Sequence, residues 1–257
     1  VNPFFFLTRV DPVDDALALQ AAGMGFTVIR ESLLTTEPGV DAPRLADHLL
    51  GMTEGTGLAW TSRRAGEALA EVLPALRARL AGIPLYAVGE ESASPVRRAG
   101  LVPRVPPEPL GAAELARFIA SRASEDRLRR VVFLHGNRAL PDLPDGLREL
   151  GIPVEFLEVY RTRFLAPDFG GLEEALRSGA IVLVAFFSPS GVEAFERLLR
   201  GDSGARFREH AIVISRGHTT TQALHQRGYR KVLTFQPGAP FSQYAAKALQ
   251  ETPGGTP

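Results

Sequence analysis

Ile181-Val182-Leu183-Val184-Ala185-Phe186-Phe187-Ser188-Pro189-Ser190-Gly191-Val192-Glu193-Ala194 decides the architecture. Its apolar part, Ala180 to Phe187, is the longest unbroken apolar run in the chain at eight residues. That is far short of the ~20 residues needed to cross a bilayer, so it reads as a strand that hands over to a helix at Ser188. Leu58-Ala59-Trp60-Thr61-Ser62, followed by Gly66-Glu67-Ala68, repeats the pattern. From Ser62 to Gly89 is 27 residues and from Ser188 to Gly217 is 29; a second glycine follows each after 11, at Gly100 and Gly228. A shorter unit also recurs, Phe6-Leu7 to Gly25 and Phe133-Leu134 to Gly151, each a strand, a helix and a glycine stop about 18 residues on. The order short, long, short, long predicts two similar α/β domains. It leaves open which short unit joins which long one.

The remaining chain agrees. Strands are expected at Phe4–Leu7, Leu58–Thr61, Leu85–Val88, Val131–Leu134, Val154–Tyr160, Ile181–Phe187, Ile212–Ser215 and Val232–Phe235, with helical periods between them, the pattern of βαβ units and a parallel sheet. Asp11-Pro12-Val13-Asp14 reads as a helix start, with Leu17, Ala21 and Met24 on one face and Gly25 as the stop. Thr35 to Pro43 and Arg161 to Pro167 carry prolines and little periodicity and read as linkers, and 252–257 as a disordered tail.

Composition narrows the chemistry. The 257 residues balance 29 Lys and Arg against 29 Asp and Glu, which gives no global pull toward nucleic acid or an anionic membrane. With no cysteine, disulfides, thiol nucleophiles and thiolate metal sites are excluded. Val1 to Leu7 lacks a basic segment and a small-residue cleavage site, so no signal peptide is expected there, and the location expected is cytoplasmic. Lys231 and Lys247 are the only lysines, leaving 27 arginines, whose planar forks suit carboxylates and phosphates.

In an open parallel sheet, ligands bind beyond the carboxyl ends of the strands. Here those ends are Thr61-Ser62, Gly89 with Ser92, Gly136-Asn137, Ser188-Pro189-Ser190-Gly191 and Gly217-His218-Thr219-Thr220-Thr221. Hydroxyls and free backbone N–H groups at helix starts suit anions, although serine and threonine also cap helices for purely structural reasons. Dinucleotide and nucleotide phosphate loops, G-x-S-x-G elbows and H-E-x-x-H are absent, and the five histidines lack metal-ligand spacing. The residues point to cofactor-free, metal-free work on an anionic small molecule.

Phe187-Ser188-Pro189-Ser190-Gly191, Thr61-Ser62-Arg63-Arg64-Ala65, Val88-Gly89 with Ser92-Ala93, Leu157-Glu158-Val159-Tyr160-Arg161-Thr162 and Gly217-His218-Thr219-Thr220-Thr221-Gln222-Ala223-Leu224, in that set and order, resemble the uroporphyrinogen-III synthase family. The resemblance runs from about Phe6 to Leu249. It implies two similar doubly wound parallel-sheet (flavodoxin-like) domains joined by a two-stranded linker: residues 1–35 with 167–257, an inserted domain 41–160, and linkers 36–40 and 161–166. The activity implied is closure of linear hydroxymethylbilane to uroporphyrinogen III, with inversion of the last pyrrole ring through a spiro intermediate and no cofactor.

The resemblance makes Tyr160 the hydroxyl donor to the leaving group and Thr219 and Thr220 substrate contacts. It makes Arg9, Arg64 and Arg138 carboxylate partners, with Thr61, Ser62, Gly89, Ser92, Asn137, Ser188, Ser190 and Gly217 in the binding turns. It also implies a transient contact with the enzyme that forms the bilane, and neither nucleic acid nor membrane as partner. A non-catalytic two-lobed binder or sensor of anionic small molecules with the same fold is the alternative.

Overall fold

The computed structural model describes residues 2–10, 15–108, 111–167, 170–178, 180–199, 201–235 and 240–250. The expected helix start at 11–14 and the tail at 252–257 lie outside them. Contacts divide the chain into two compact units, one of residues 1–35 with 163–257, the other of residues 36–162.

The first unit holds β1 (Phe4–Leu7), α1 (Asp15–Gly23) and β2 (Thr27–Arg30). The strand β3 (Leu34–Pro38) then leads into the second unit: α2 (Leu45–Leu50), β4 (Thr56–Trp60), α3 (Arg63–Leu80), β5 (Leu85–Ala87), α4 (Glu90–Arg98), α5 (Ala112–Arg122), β6 (Arg130–Gly136), α6 (Asp142–Glu149) and β7 (Val154–Phe164). The chain returns to the first unit with α7 (Gly170–Arg177), β8 (Val182–Phe186), α8 (Pro189–Leu198), α9 (Gly201–His210), β9 (Ile212–Ser215), α10 (His218–Gln226), β10 (Val232–Thr234) and α11 (Phe241–Gln250).

The two sheets run β2-β1-β8-β9-β10 and β3-β7-β6-β4-β5. Counted within its unit, the first is the 2-1-3-4-5 order of a doubly wound flavodoxin-like sheet. The pairs β1–β2, β1–β8, β8–β9, β9–β10, β4–β5, β4–β6 and β6–β7 are all parallel. The ambiguity in the repeat is thereby resolved. Strands β9-β8-β1-β2 correspond in space to β5-β4-β6-β7, so the long unit lies beside the short one in both sheets, although the short unit comes first in one and last in the other.

Apolar strands packed on both faces account for the cores. In β1 and β8, Phe6, Val184 and Phe186 face one cluster, while Phe5, Leu7, Leu183 and Ala185 face another. In β4 and β6, Leu58, Trp60, Val132 and Leu134 face one cluster, and Ala59, Val131 and Phe133 the other.

The glycine stops close the helices by one device. Gly25, Gly100, Gly151 and Gly228 all have positive φ, from +78° to +87°. The N–H of the next residue reaches back to a carbonyl five residues earlier: Phe26 to Ala21, Leu101 to Val96, Ile152 to Leu147 and Tyr229 to Leu224. Both members of every pair are buried, the apolar contact of a Schellman turn. Met24, expected on the buried face of α1, instead lies in such a turn and is exposed.

Two strands were not expected. β2 is only four residues long, and β3, Leu-Thr-Thr-Glu-Pro, reads as a linker. β3 is ordered by pairing with β7, which runs to Phe164 through the second expected linker. Leu165 N–H donates to the Leu33 carbonyl and Gly39 N–H to that of Val159, so the two strands are antiparallel. Main-chain pairing needs no apolar period, and these segments show none.

Candidate active site

The strand order reverses between β4 and β6 in the unit of residues 36–162, and between β8 and β1 in the other. Those reversal points are where a doubly wound sheet opens a ligand crevice beyond its strand ends.

In the 36–162 unit, Ser62 caps α3, its Oγ accepting the Ala65 N–H at 3.2 Å, and Thr61 beside it is half-buried. Arg63 and Arg64 both turn to Glu67, each donating to one carboxylate oxygen at 2.9 Å. Gly89 starts α4 in extended backbone. Ser92 is turned inward: its Oγ accepts from the Gly89 N–H at 3.1 Å and donates to the Gly89 carbonyl at 2.8 Å, its own carbonyl accepts the Trp60 indole N–H at 2.8 Å, and it is 4 % exposed. Its role here is to close the first turn of α4.

Arg138 is exposed beyond the end of β6. Asn137, expected as a ligand contact, has its carboxamide spread over the backbone of Thr162, with Oδ1 accepting the N–H at 2.9 Å and Nδ2 donating to the carbonyl at 3.3 Å. Tyr160 is half-buried on β7. It lines a pocket of about 490 Å³ with Thr36, Glu37, Arg64, Glu67 and Glu71, closed on its apolar side by residues such as Val72 and Val159.

In the other unit, Thr8 is buried with its hydroxyl donating to the Ala185 carbonyl at 2.7 Å. The Arg9 guanidinium lies 4.0 Å over the Phe187 ring, a cation–π contact that orients the fork. Ser188 caps α8 as Ser62 caps α3, accepting the Gly191 N–H at 3.1 Å, and it stands 3.1 Å from the Ser190 hydroxyl. Gly217 caps α10 at φ +88°. Thr219 is exposed on the first turn, whereas Thr220 is 1 % exposed. The Thr221 hydroxyl lies 2.6 Å from that of Ser215.

Sequence reasoning missed Phe187 and Thr8 as contributors, and it named Gly136 as a strand end without its contact with the Tyr160 ring. Phe187 was within reach, since it immediately precedes Ser188 in the run that decides the fold.

The strongly perturbed groups lie elsewhere. Burial, then a hydrogen bond to Asp126, drives the Tyr86 phenol up, and burial with a bond to Glu196 does the same for Tyr229. Burial alone would raise the Asp126 carboxyl, but hydrogen bonds from Arg104 and Tyr86 and the charges of Arg104 and Arg122 outweigh it and hold it below the usual range. Among the described residues no group of three or more His, Cys, Asp or Glu side chains is placed to hold a metal ion, and no helix is long and apolar enough to cross a membrane.

The family described as uroporphyrinogen-III synthase HemD matches residues 15–237. The chain belongs to the uroporphyrinogen-III synthase family. Members are cyclising lyases of haem biosynthesis.

Solved structures agree on the fold. A mutant uroporphyrinogen III synthase from the extremely thermophilic bacterium Thermus thermophilus is 24% identical over 97% of this chain and 100% of that one, with a TM-score of 0.68. Uroporphyrinogen-III synthetase from Helicobacter pylori is 19% identical over 97% of this chain and 100% of that one, with a TM-score of 0.59.

Proposed function

We propose that the family reaction, closure of hydroxymethylbilane to uroporphyrinogen III, is carried in this chain by Tyr160 as proton donor, with the hydroxyl- and arginine-bearing strand ends as carboxylate holders. The observation that carries this reading is the setting of Tyr160: a half-buried phenol on the wall of a pocket, at the carboxyl edge of a sheet whose neighbouring turns present helix N-termini and arginines.

The terminal hydroxyl of the bilane leaves with the push of its pyrrole nitrogen. The C–O bond breaks, the Tyr160 hydroxyl protonates the departing oxygen, water is released and an electrophilic azafulvenium cation remains, balanced by the phenolate. The phenolate regains its proton from solvent or from the carbon that loses one when the macrocycle aromatises its last pyrrole. The bilane must also be folded so that the substituted carbon attacks first, which is a task of positioning.

Arg9, Arg64 and Arg138 pair with substrate carboxylates, and the first turns of α3, α8 and α10 offer backbone N–H groups to others. Arg64, itself exposed, is held by the half-buried Glu67 in an i,i+3 pair. Such pairs are worth about 0–1 kcal/mol, so a bidentate substrate carboxylate displaces Glu67 at little cost. Ser62 and Ser188 contribute as caps that aim those N–H groups, and Thr219 as an exposed hydroxyl on the first turn of α10.

The reading also carries a cytoplasmic location and a transient contact with the enzyme that forms the bilane. The unstable substrate closes to isomer I when left uncatalysed, which favours direct hand-over.

The test is a coupled assay that resolves isomers I and III, run with chelator and without added cofactor. Mainly isomer III is expected; isomer I alone at high protein concentration overturns the reading.

A further inference from the structure

We infer that Gly136 and Asn137 are positioning residues that fix the ring of Tyr160; the catalytic consequence rests on the reading of Tyr160 as proton donor.

The reason begins with strand alternation. On β7, Leu157 and Val159 point to one core cluster, as residues two apart must. Tyr160, the next residue, belongs on the opposite face with Glu158, yet it packs against the same cluster as Leu157 and Val159. The register shows why. His135 pairs with Glu158, but Gly136 pairs with Tyr160, so Val159 is an extra residue opposite one step of β6. A bulge of this kind re-aims the side chain that follows it.

A bulge interrupts the ladder, and something must hold the strand beyond it. β6 ends at Gly136, so its main chain offers β7 no further partner on that side. The Asn137 carboxamide supplies one. It presents an acceptor to the Thr162 N–H and a donor to the Thr162 carbonyl, the pair of groups a continuing strand would have offered. On the β6 side, the strand two residues past Tyr160 is thus pinned by a single side chain, while β3 pairs with its other edge.

Gly136 sets the ring from the other side. A Cβ built there would stand 2.3 Å from Tyr160 Cζ and 2.5 and 2.8 Å from its two Cε atoms. The hydroxyl-bearing tip of the ring therefore occupies the space that any other residue at 136 would fill.

The test reads the ring directly. The four tyrosines, Tyr86, Tyr160, Tyr229 and Tyr244, are replaced by 3-fluorotyrosine and followed by 19F NMR, with the Tyr160 line assigned from Tyr160→Phe. Asn137→Ala is expected to move or split the Tyr160 line while the other three stay. Turnover should fall by roughly 10- to 100-fold, the scale of a misplacement of about 1 Å, with KM within about threefold. Asn137→Asp keeps the acceptor for the Thr162 N–H and should recover much of the loss; it also carries both readouts if the alanine variant melts below the assay temperature.

In a Tyr160→Phe background, Asn137→Ala should cost nothing further. An unmoved Tyr160 line, or a raised KM with unchanged kcat, overturns the inference. The acid reading fails separately: Tyr160→Phe would then turn over like the parent chain, whatever the fluorine spectrum of Asn137→Ala shows.

Discussion

Thr219 and Thr220 are neighbours in the first turn of α10 and opposite in exposure: Thr219 faces solvent, and Thr220 is 1 % exposed with Ala223 and Leu224 on the buried stripe. A single residue step, about 100° around the helix, separates a side chain that can meet a substrate from one that cannot without unpacking α10. Thr219→Ala should therefore raise KM several-fold with kcat and melting temperature nearly unchanged. Thr220→Ala should leave KM alone and lower stability by about 1 kcal/mol for the lost buried methyl. Steady-state kinetics and thermal melts of both variants check this, and equal KM effects would remove the distinction.

Arg9 rests on Phe187, so the two act as one element. Phe187→Leu keeps the apolar packing of the strand end but removes the ring face. KM should rise by a smaller factor than in Arg9→Ala, because the charge remains while its orientation is lost. The double variant should be no worse than Arg9→Ala alone. Additive losses would show that Phe187 touches substrate independently.

Of the ten strands among the described residues eight were legible, most of them, such as β1, β4, β8 and β9, because they are short apolar runs whose burial on both faces leaves little choice of residue. The Schellman glycines were legible for a similar reason, since positive φ all but dictates glycine. The pairing of units was not, because two orders of the same repeats give the same local sequence. β3 was lost since its order comes from main-chain pairing with β7. At the site, the spacing of Ser62 and Ser188 was visible, but whether a hydroxyl turns inward, as in Ser92, depends on a partner elsewhere. The bulge at Val159 was invisible to any period, and with it the face Tyr160 takes.

Asp126 joins Tyr86 and Arg104 across the unit of residues 36–162, with the phenol donating to the carboxylate and the guanidinium paired to it. The folded-state pKa of Asp126 lies below its unfolded value of about 3.9. A lowered acid contributes stability that is fully present above the unfolded pKa and is lost as pH falls through the folded one. Asp126→Asn should therefore melt well below the parent chain at pH 7, by an amount worth about 3 kcal/mol, at the lower end of the range for a broken buried pair because Arg104 remains partly exposed. The gap should narrow as pH falls below about 4. A constant gap from pH 7 to pH 3 would mean that shape, not charge, is what Asp126 supplies.

Tyr160→Phe removes one hydroxyl and leaves the ring on Gly136, so the melting temperature should stay within a degree or two of the parent. Loss of a general acid costs typically ~10²–10⁴ in rate. The low end is expected, because the pyrrole nitrogen already expels the hydroxyl and water in the pocket can donate in its place. KM should barely move, the carboxylates being held by arginines and helix starts rather than by the phenol. Gly136→Ala offers the complementary experiment, since it keeps the hydroxyl and displaces it. The added methyl meets the ring tip, and the ring swings more easily than the strand shifts, so turnover should fall toward, but not below, that of Tyr160→Phe. The isomer ratio separates the two tasks of the site. If the phenol only helps the hydroxyl leave, both variants are slow but still give isomer III from every enzyme-bound turnover, with isomer I arising only from bilane closing in solution and disappearing as enzyme concentration rises. If isomer I persists at saturating enzyme in Tyr160→Phe, the ring also helps to fold the bilane before attack, and the acid role alone is insufficient.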